Sequence, residues 1–226
     1  MKLGVLSDIH ADAQSLDKAL KLLERKGVDH LICAGDLVDG ETEGEEAAQR
    51  VKALNIPVVM GNHDYLYARI GEQAAMREAQ RNQRIAQGYV RDLLSDDSYA
   101  YLGTLPHARE LVYDGVKIVL AHANTWDYQT YIFPSSSSLP KLKRLQESIA
   151  PDVKAVILGH THVPMWIRYH SLHVFNPGSV EGNRYSMSRS CAVITLPSPP
   201  QGIEFTVYEI DRGAPLTIES LNFYPS

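Results

Sequence analysis

Cysteine is scarce in this chain, long hydrophobic runs are missing, and positive charge is not in excess. The two cysteines, Cys33 and Cys191, each lie in a short apolar run. We predict that both are buried thiols, with a disulfide as the alternative. This cysteine content does not point to an oxidising compartment. No apolar run approaches the ~20 residues that a membrane-spanning helix needs, so we expect no membrane partner.

The charge balance limits the choice of partners. The formal net charge is -5, whereas broad binding to nucleic acid normally needs a clustered basic surface. Nucleic acid is therefore not the expected partner, and a phosphate-bearing substrate would need local positive charge from metal ions. The apolar start of the chain is too short for a signal peptide before Asp8 is reached. We expect a cytoplasmic protein of one domain over residues 1–226, and its oligomeric state is left open.

Apolar runs alternate with helical patterns in the first third of the chain. Strands are predicted at residues 2–7, 28–34 and 56–60. One helix is predicted to follow Ser15 as its N-cap and to stop at Gly27, and a second to cover residues 44–54. This alternation indicates βαβ units and a parallel sheet.

Residues 65–98 form a long polar stretch without proline, which predicts a helical insertion that is interrupted or ends near Gly88. The spacing of four arginines would place them on one face of the predicted helix, with acidic residues interspersed among them. The pattern predicts a solvated charged face, with a nucleic-acid-binding stripe as the alternative. The four arginines are Arg77, Arg81, Arg84 and Arg91.

Hairpin signals dominate from residue 109 onward. Asp114-Gly115 separates the predicted strands 110–113 and 116–121, and this dipeptide is a strong hairpin signal. A helix is predicted at 139–148, and further strands at 153–158, 163–169, 172–175, 189–196 and 203–210. Residues 123–140, here called the aromatic loop, carry Trp126, Tyr128, Tyr131 and Phe133. We interpret this loop as a lid, whose rings either pack together or hold a nucleobase or an aromatic leaving group.

Five short polar elements follow apolar strand candidates. They are Asp8-Ile9-His10, Gly35-Asp36-Leu37-Val38-Asp39, Gly61-Asn62-His63-Asp64, His122, and Gly159-His160-Thr161-His162. Because ligand sites of open α/β sheets lie beyond the carboxyl ends of the strands, these distant residues are expected to converge. Taken alone, His122 is better explained as a hydrogen-bonded histidine of the core or its rim, and Asp-x-His recurs by chance.

The residue types in these elements suit divalent metals. Mixed Asp, His and Asn ligands are typical of sites for Mn, Fe, Ni or Zn. A carboxylate has two oxygens and can bridge two ions, which at ~3.5–4 Å separation clamp both the attacking and the leaving oxygen at phosphorus. The sequence therefore predicts a two-metal phosphoesterase site.

The order of these motifs resembles that of the calcineurin-like metallophosphoesterase superfamily. The match is Asp-x-His, Gly-Asp, Gly-Asn-His-Asp/Glu, His and Gly-His-x-His over residues 8–162. Residues 176–180, Asn-Pro-Gly-Ser-Val, are similar to the small bacterial and archaeal phosphodiesterase branch. The resemblance implies a four-layer α/β/β/α sandwich of two mixed sheets flanked by helices.

The resemblance also implies the roles of the site residues. One metal ion would take Asp8, His10, Asp36 and His162, and the second would take Asp36, Asn62, His122 and His160. Manganese is the preferred ion, with iron, nickel or zinc as alternatives. Asn62 and His63 would contact the phosphate of a phosphoester or nucleotide. His63 would protonate the leaving group after attack by a dimetal-bound hydroxide, with Asp39 or Asp64 orienting its imidazole.

Two positions depart from the superfamily pattern. Gly40 stands where the protein Ser/Thr phosphatases carry arginine, which argues against a phosphoprotein substrate. Ala123-Asn124 follows His122 where glycine is usual, which indicates a different rim at the second metal. Arg184 is either a substrate contact or a surface arginine. Neither a monoester nor a diester substrate is singled out, so a protein or dinucleoside polyphosphate phosphatase stays an alternative, as does a nuclease.

A non-catalytic scaffold on the same fold, as in the retromer subunit that resembles these enzymes, is the alternative of another class. Such scaffolds tend to lose the histidine at the position of His63, which this chain keeps.

Overall fold

A computed structural model describes five ranges of the chain. They are residues 1–39, 44–74, 94–182, 188–196 and 202–223, without the side chains of residues 70–74, 219 and 221. No helix in the described part of the chain is long and apolar enough to span a membrane. The helices are α1 (Ala13–Arg25), α2 (Gly44–Leu54), α3 (Asn62–Ala74), α4 (Asp96–Thr104) and α5 (Leu139–Glu147), the last preceded by a 3₁₀ turn at Ser136–Ser138.

In the described ranges, ten strands form two mixed sheets. They are β1 (Lys2–Leu6), β2 (His30–Cys33), β3 (Ala108–Tyr113), β4 (Val116–Ala121), β5 (Ala155–Ile157), β6 (Met165–Tyr169), β7 (Leu172–Asn176), β8 (Ser190–Thr195), β9 (Glu204–Glu209) and β10 (Glu219–Phe223). Sheet 1 has the order β2-β1-β8-β9, and sheet 2 has the order β10-β6-β7-β5-β4-β3. The pairs β1–β2, β4–β5, β5–β7 and β6–β10 are parallel, and the other pairs are antiparallel.

Three apolar cores define four layers. Helices α1 to α4 pack on the outer face of sheet 1, where Leu16 and Tyr67 meet Leu6. The inner faces of the two sheets pack together through residues such as Val5 and Phe175. Helix α5 covers the outer face of sheet 2. The α/β/β/α sandwich of two mixed sheets predicted from the motifs is therefore confirmed.

Several local predictions are also confirmed. Asp114 and Gly115 both have positive φ, at 48° and 75°, as a two-residue hairpin turn between β3 and β4 requires. Gly27 has φ of 68° directly after α1, where glycine ends helices at little steric cost. Cys33 and Cys191 are buried free thiols.

Other local predictions are corrected. The N-cap of α1 is Asp12, not Ser15, because the Asp12 carboxylate accepts the backbone N–H of Ser15 at 2.8 Å. The strand predicted at residues 56–60 is only an isolated bridge between Val58 and Cys33. The helical insertion begins earlier than predicted, at Asn62, and α4 is a separate helix whose N-cap is Ser95.

The predicted helical insertion lies partly outside the described residues, and the predicted arginine stripe lies wholly outside them. Residues 75–93, which include Gly88 and the four arginines of the predicted stripe, are not described.

Strand β10 lies beyond the last strand that the sequence predicted, and it pairs in parallel with β6.

Candidate metal centre

The two sheets present strand ends to one common site. Asp8 follows β1 and Asp36 follows β2 in sheet 1, while His122 follows β4 and His160 follows β5 in sheet 2. Strands β1 and β2 are parallel, and so are β4 and β5. His122 Nε2 lies 3.1 Å from Asp36 Oδ2, so the carboxyl ends of both pairs reach the same edge of the sandwich, where ligand sites of α/β sheets lie.

The first two loops are joined by their backbones. The N–H of Asp8 donates to the carbonyl of Gly35 at 2.9 Å, and the N–H groups of Ile9 and His10 donate to the carbonyl of Asp36 at 2.8 and 3.0 Å. These bonds hold the Asp-x-His element against the Gly-Asp element, so their side chains are positioned together.

Left-handed backbone conformations concentrate at this site. Ten non-glycine residues in the described ranges have positive φ, and six of them are motif residues. The six are Asp8, His10, Asp36, Asp39, His160 and His162. Each such residue is held against a local steric cost, of order 1 kcal/mol, and strain of this kind clusters at functional sites.

The motif glycines leave room for the polar side chains. A Cβ at Gly61 would collide with the Asp36 carboxylate, and a Cβ at Gly159 would collide with the Ser7 hydroxyl. The Ser7 hydroxyl donates to Asp8 Oδ2 at 2.6 Å. Glycine is thus needed at both positions so that the two carboxylates can keep their places.

One cluster of ligand atoms surrounds Asp8. His162 Nε2 lies 3.2 Å from Asp8 Oδ1 and 3.1 Å from His10 Nε2. His10 Nε2 also lies 3.7 Å from Asp36 Oδ2. Asp8, His10 and His162 are buried. Two imidazole nitrogens that face each other across a carboxylate suit a cation bound among them.

A second cluster surrounds Asp36. His122 Nε2 lies 3.1 Å from Asp36 Oδ2 and 3.1 Å from Asn62 Oδ1. His160 completes this group, whose Asp and His ligand atoms all lie within 4.8 Å of one another. Since Asp36 also lies near His10, its carboxylate stands between the two clusters.

The remaining ring nitrogens of the second cluster fix the histidine tautomers. His122 Nδ1 faces the carbonyl oxygen of Ala34 at 2.7 Å, and His160 Nε2 faces that of Gln129 at 3.1 Å. A ring nitrogen that faces a carbonyl oxygen carries the proton, so in each neutral imidazole the other nitrogen keeps its lone pair. His122 Nε2 and His160 Nδ1 are therefore available to a metal, in the arrangement typical of metal-bound histidines.

The electrostatics of the centre favour added positive charge. Burial opposes ionisation of Asp8, but His162 and then His122 lower its pKa to about 2. Burial lowers the pKa of His122, but Asp36 and then Asp8 outweigh it and raise that pKa to about 9. Buried carboxylates that stabilise an imidazolium would stabilise a divalent cation in the same way.

His63 lies at the start of α3, where it forms a third group of possible ligand atoms with His10 and Asp36. Its Nδ1 contacts Asp39 Oδ2, and its Nε2 lies 4.0 Å from Asp36 Oδ2. The ring packs edge-on to that of His10 at 5.0 Å. Tyr67 donates its hydroxyl to the other Asp39 oxygen at 3.3 Å. One side of the His63 imidazole is thus held by Asp39, while the other side faces the centre.

Asp64 has a different environment from Asp39. Its buried carboxylate accepts the backbone N–H groups of Asp36, Leu37 and Gly61 at 2.8, 2.8 and 2.9 Å. Burial and the neighbouring charge of Asp36 raise the pKa of Asp64 to about 6. The side chain joins two ligand-bearing loops beneath the centre.

Some contributors to the site were given no role in it by the sequence. Asn176, in the Asn-Pro-Gly-Ser-Val element, donates to the carbonyl of Gly159 at 2.6 Å, and Ser179 donates to that of Asp8 at 2.8 Å. This element therefore supports the ligand-bearing loops. The Gln129 carbonyl was also not predicted, because a backbone acceptor leaves no trace in residue type. Arg184 lies outside the described residues.

The fold and this cluster of strand-end Asp, His and Asn side chains define a metallophosphoesterase-like protein. A family model described as the calcineurin-like phosphoesterase superfamily domain matches residues 1–198, and the chain belongs to this superfamily. The uncharacterized protein MJ0912 of Methanocaldococcus jannaschii is 23% identical over 211 residues, which cover 83% of this chain and 79% of that protein.

Two solved structures share the fold. A metallophosphoesterase from Sphaerobacter thermophilus has a TM-score of 0.66 and 23% identity, and the match covers 85% of this chain and 82% of that one. Vps29 from Entamoeba histolytica, in complex with Zn²⁺, has a TM-score of 0.55 and 17% identity, with 96% of each chain covered.

Proposed function

We propose that this protein is a metal-dependent phosphoesterase with a two-metal site. The observation that carries the proposal is the pair of ligand clusters that meet at Asp36, with His63 beside them. When bound, two divalent ions supply Lewis acidity, lower the pKa of water towards neutrality and offset the charge of a phosphoester. The protein supplies the ligands, the closed surroundings and the proton donor.

The two clusters suggest how the ligands are shared. One ion would be held by Asp8, His10, Asp36 and His162, and the other by Asp36, Asn62, His122 and His160. Oxygen and imidazole donors of this kind suit manganese, with iron, nickel or zinc as alternatives. The tautomers that Ala34 and Gln129 impose support this assignment.

His63 is the proposed proton donor to the leaving oxygen. Asp39 holds Nδ1 and stabilises the imidazolium, which leaves the Nε2 proton directed towards the centre. Transfer of that proton to the leaving oxygen avoids the release of an alkoxide. The contact with Asp39, together with the three backbone bonds of Asp64, favours Asp39 as the residue that orients His63.

The test is hydrolysis of bis-p-nitrophenyl phosphate and of p-nitrophenyl phosphate with Mn²⁺, Fe²⁺, Ni²⁺ or Zn²⁺. We expect His63→Ala to keep its bound metal and to lose about 10²–10⁴ in rate, the range for a general acid. His30→Ala is the matched control, because His30 begins β2 at the opposite end of sheet 1 and packs at a tilt against the ring of Tyr113. Its rate should equal that of the wild type.

Two results would count against the proposal. If no metal supports hydrolysis of any phosphoester, the chain is better explained as a non-catalytic scaffold. If His63→Ala loses its metal, His63 is a ligand and not the proton donor. A screen over monoesters, cyclic nucleotides, dinucleoside polyphosphates and single-stranded DNA separates the remaining substrate classes.

A further inference from the structure

Exposed aromatic rings are concentrated next to the metal centre. Five large hydrophobic side chains are exposed in the described part of the chain, and three of them are Tyr65 (41%), Tyr131 (40%) and Phe133 (38%). Together with Tyr128 they form what we call the aromatic rim. A contiguous group of exposed apolar side chains is typical of a ligand-binding groove or an interaction site.

One stack of the rim starts on a proposed metal ligand. The ring of Tyr131 lies 3.9 Å from that of His160, with 14° between the planes. Phe133 lies 5.5 Å from Tyr131 at 15°. Neighbouring rings in this stack are nearly parallel. His160 is buried, while Tyr131 and Phe133 are exposed and offer flat surfaces close to the centre.

A second stack starts on the helix that carries the proposed proton donor. Tyr65 follows His63 by two residues and stacks on Tyr128 at 4.8 Å and 18°. Tyr128 stacks in turn on His107 at 4.3 Å and 25°. The rim therefore includes one wall from α3 and one from the aromatic loop.

Hydrogen bonds order the part of the aromatic loop that leads to these rings. The buried Asn124 accepts the backbone N–H groups of Trp126 and Asp127 at 2.8 and 2.7 Å. Asp127 accepts those of Gln129 and Thr130, both at 2.7 Å. Because the loop is already ordered, little conformational entropy is lost when a ligand stacks on it.

We propose that the aromatic rim binds a nucleobase by stacking, so that the substrates are phosphoesters that bear a base. The inference rests on the proposed function, which places the phosphate at the metal centre. A nucleotide has a charged phosphate at one end and a flat ring at the other, and the site offers cation ligands beside flat rings. Stacking is tolerant of base identity because every base has a π face.

The test compares two ligands that differ only in the base. Binding of adenosine 5′-monophosphate and of ribose 5-phosphate to the manganese-loaded protein is measured by isothermal titration calorimetry. We expect the nucleotide to bind roughly 5- to 150-fold more tightly, the gain usual for one stacked base. Phe133→Leu should bring this ratio towards one and leave ribose 5-phosphate binding unchanged, since Phe133 stacks on Tyr131 and not on His160.

A control outside the rim tests for unspecific effects. Val112→Ala removes an exposed apolar group (62%) near the far end of β3 and should keep the ratio. Equal binding of the two ligands to the wild type overturns the proposal, and so does a ratio that Phe133→Leu leaves unchanged.

The outcome is distinguishable from failure of the proposed function, because binding needs no turnover. If the protein prefers the nucleotide but hydrolyses no phosphoester in the screen, the rim is supported and the phosphoesterase activity is refuted. Hydrolysis of p-nitrophenyl esters with equal binding of the two ligands refutes the rim alone.

Discussion

Replacing Asp64 with asparagine isolates the structural contribution of one carboxylate beneath the metal centre. Oδ2 accepts the N–H groups of Asp36 and Gly61, and Oδ1 accepts that of Leu37. Asparagine has the same size but only one acceptor oxygen, and its NH₂ group is a donor. In either orientation, the amide nitrogen faces at least one backbone N–H that has lost its acceptor.

The size of the effect follows from this count. One orphaned N–H remains if the amide oxygen replaces Oδ2, and two remain if it replaces Oδ1. Each buried donor left unsatisfied costs about 1–3 kcal/mol, and the amide NH₂ is a further unpaired donor. We expect Asp64→Asn to lower the free energy of unfolding by about 2–5 kcal/mol, a large part of the ~5–15 kcal/mol typical of native proteins.

The assay is equilibrium unfolding in urea with EDTA at pH 7.5, followed by circular dichroism. At this pH, above the raised pKa of about 6, the Asp64 carboxylate is ionised. Burial of that charge offsets part of what its three hydrogen bonds contribute, so we expect a loss near the lower end of this range. Asp12→Asn is the matched control, because the Asp12 side chain caps a single N–H at the start of α1. Asparagine caps helices as well as aspartate does, so we expect a change within about 0.5 kcal/mol. If Asp64→Asn lowers the free energy of unfolding by less than about 1 kcal/mol, or by no more than the control does, the three hydrogen bonds of Asp64 do not stabilise the fold as proposed.

Three further predictions concern the metal ions. Asp36→Asn should lower the manganese content of the purified protein at both positions, measured by elemental analysis, because its carboxylate lies between the two clusters; unchanged content would rule out bridging. Asp39→Asn should keep the metal but reduce kcat about 10–100-fold, the usual effect of losing a supporting carboxylate, and an unchanged kcat would dismiss the orienting role. Removal of metal with EDTA should lower Tm by roughly 5–10 °C per site. A free metal concentration of 100 Kd contributes about 2.7 kcal/mol of stability, and the Tm of a chain of this size changes by about 2–4 °C per kcal/mol. A Tm that EDTA does not move would show that no metal is bound.

Much of the fold followed from local signals in the sequence. Strands β1 and β2 were recognisable as short apolar runs, α2 matched its predicted range 44–54, and the turn at Asp114-Gly115 determined one hairpin. Polar residues directly after apolar runs predicted that distant segments converge. The structure brings Asp8, Asp36 and His160 together at the common edge of the two sheets.

The errors arose where a long-range contact decides the outcome. Strand β10 is ordered by parallel pairing with β6, about fifty residues earlier in the chain, and no local turn signal announces such a pair. Asp12 and Ser15 are both good N-cap residues, and only the direction of the chain leaving His10 selects Asp12. The residues after Ile56 look like a strand, yet they pair with β2 only at Val58.

The loop after His122 explains why Ala123-Asn124 departs from the superfamily pattern, in which glycine follows this histidine. Asn124, the second residue of this departure, accepts two backbone N–H groups and donates to the carbonyl of Thr130 at 3.1 Å. The turn so formed places the Gln129 carbonyl on His160 Nε2 and the Tyr131 ring on the face of the same imidazole. The loop therefore sets the tautomer of a proposed ligand and also carries the rim. Because the same bonds order both features, changes in this loop should alter metal binding and ligand choice together.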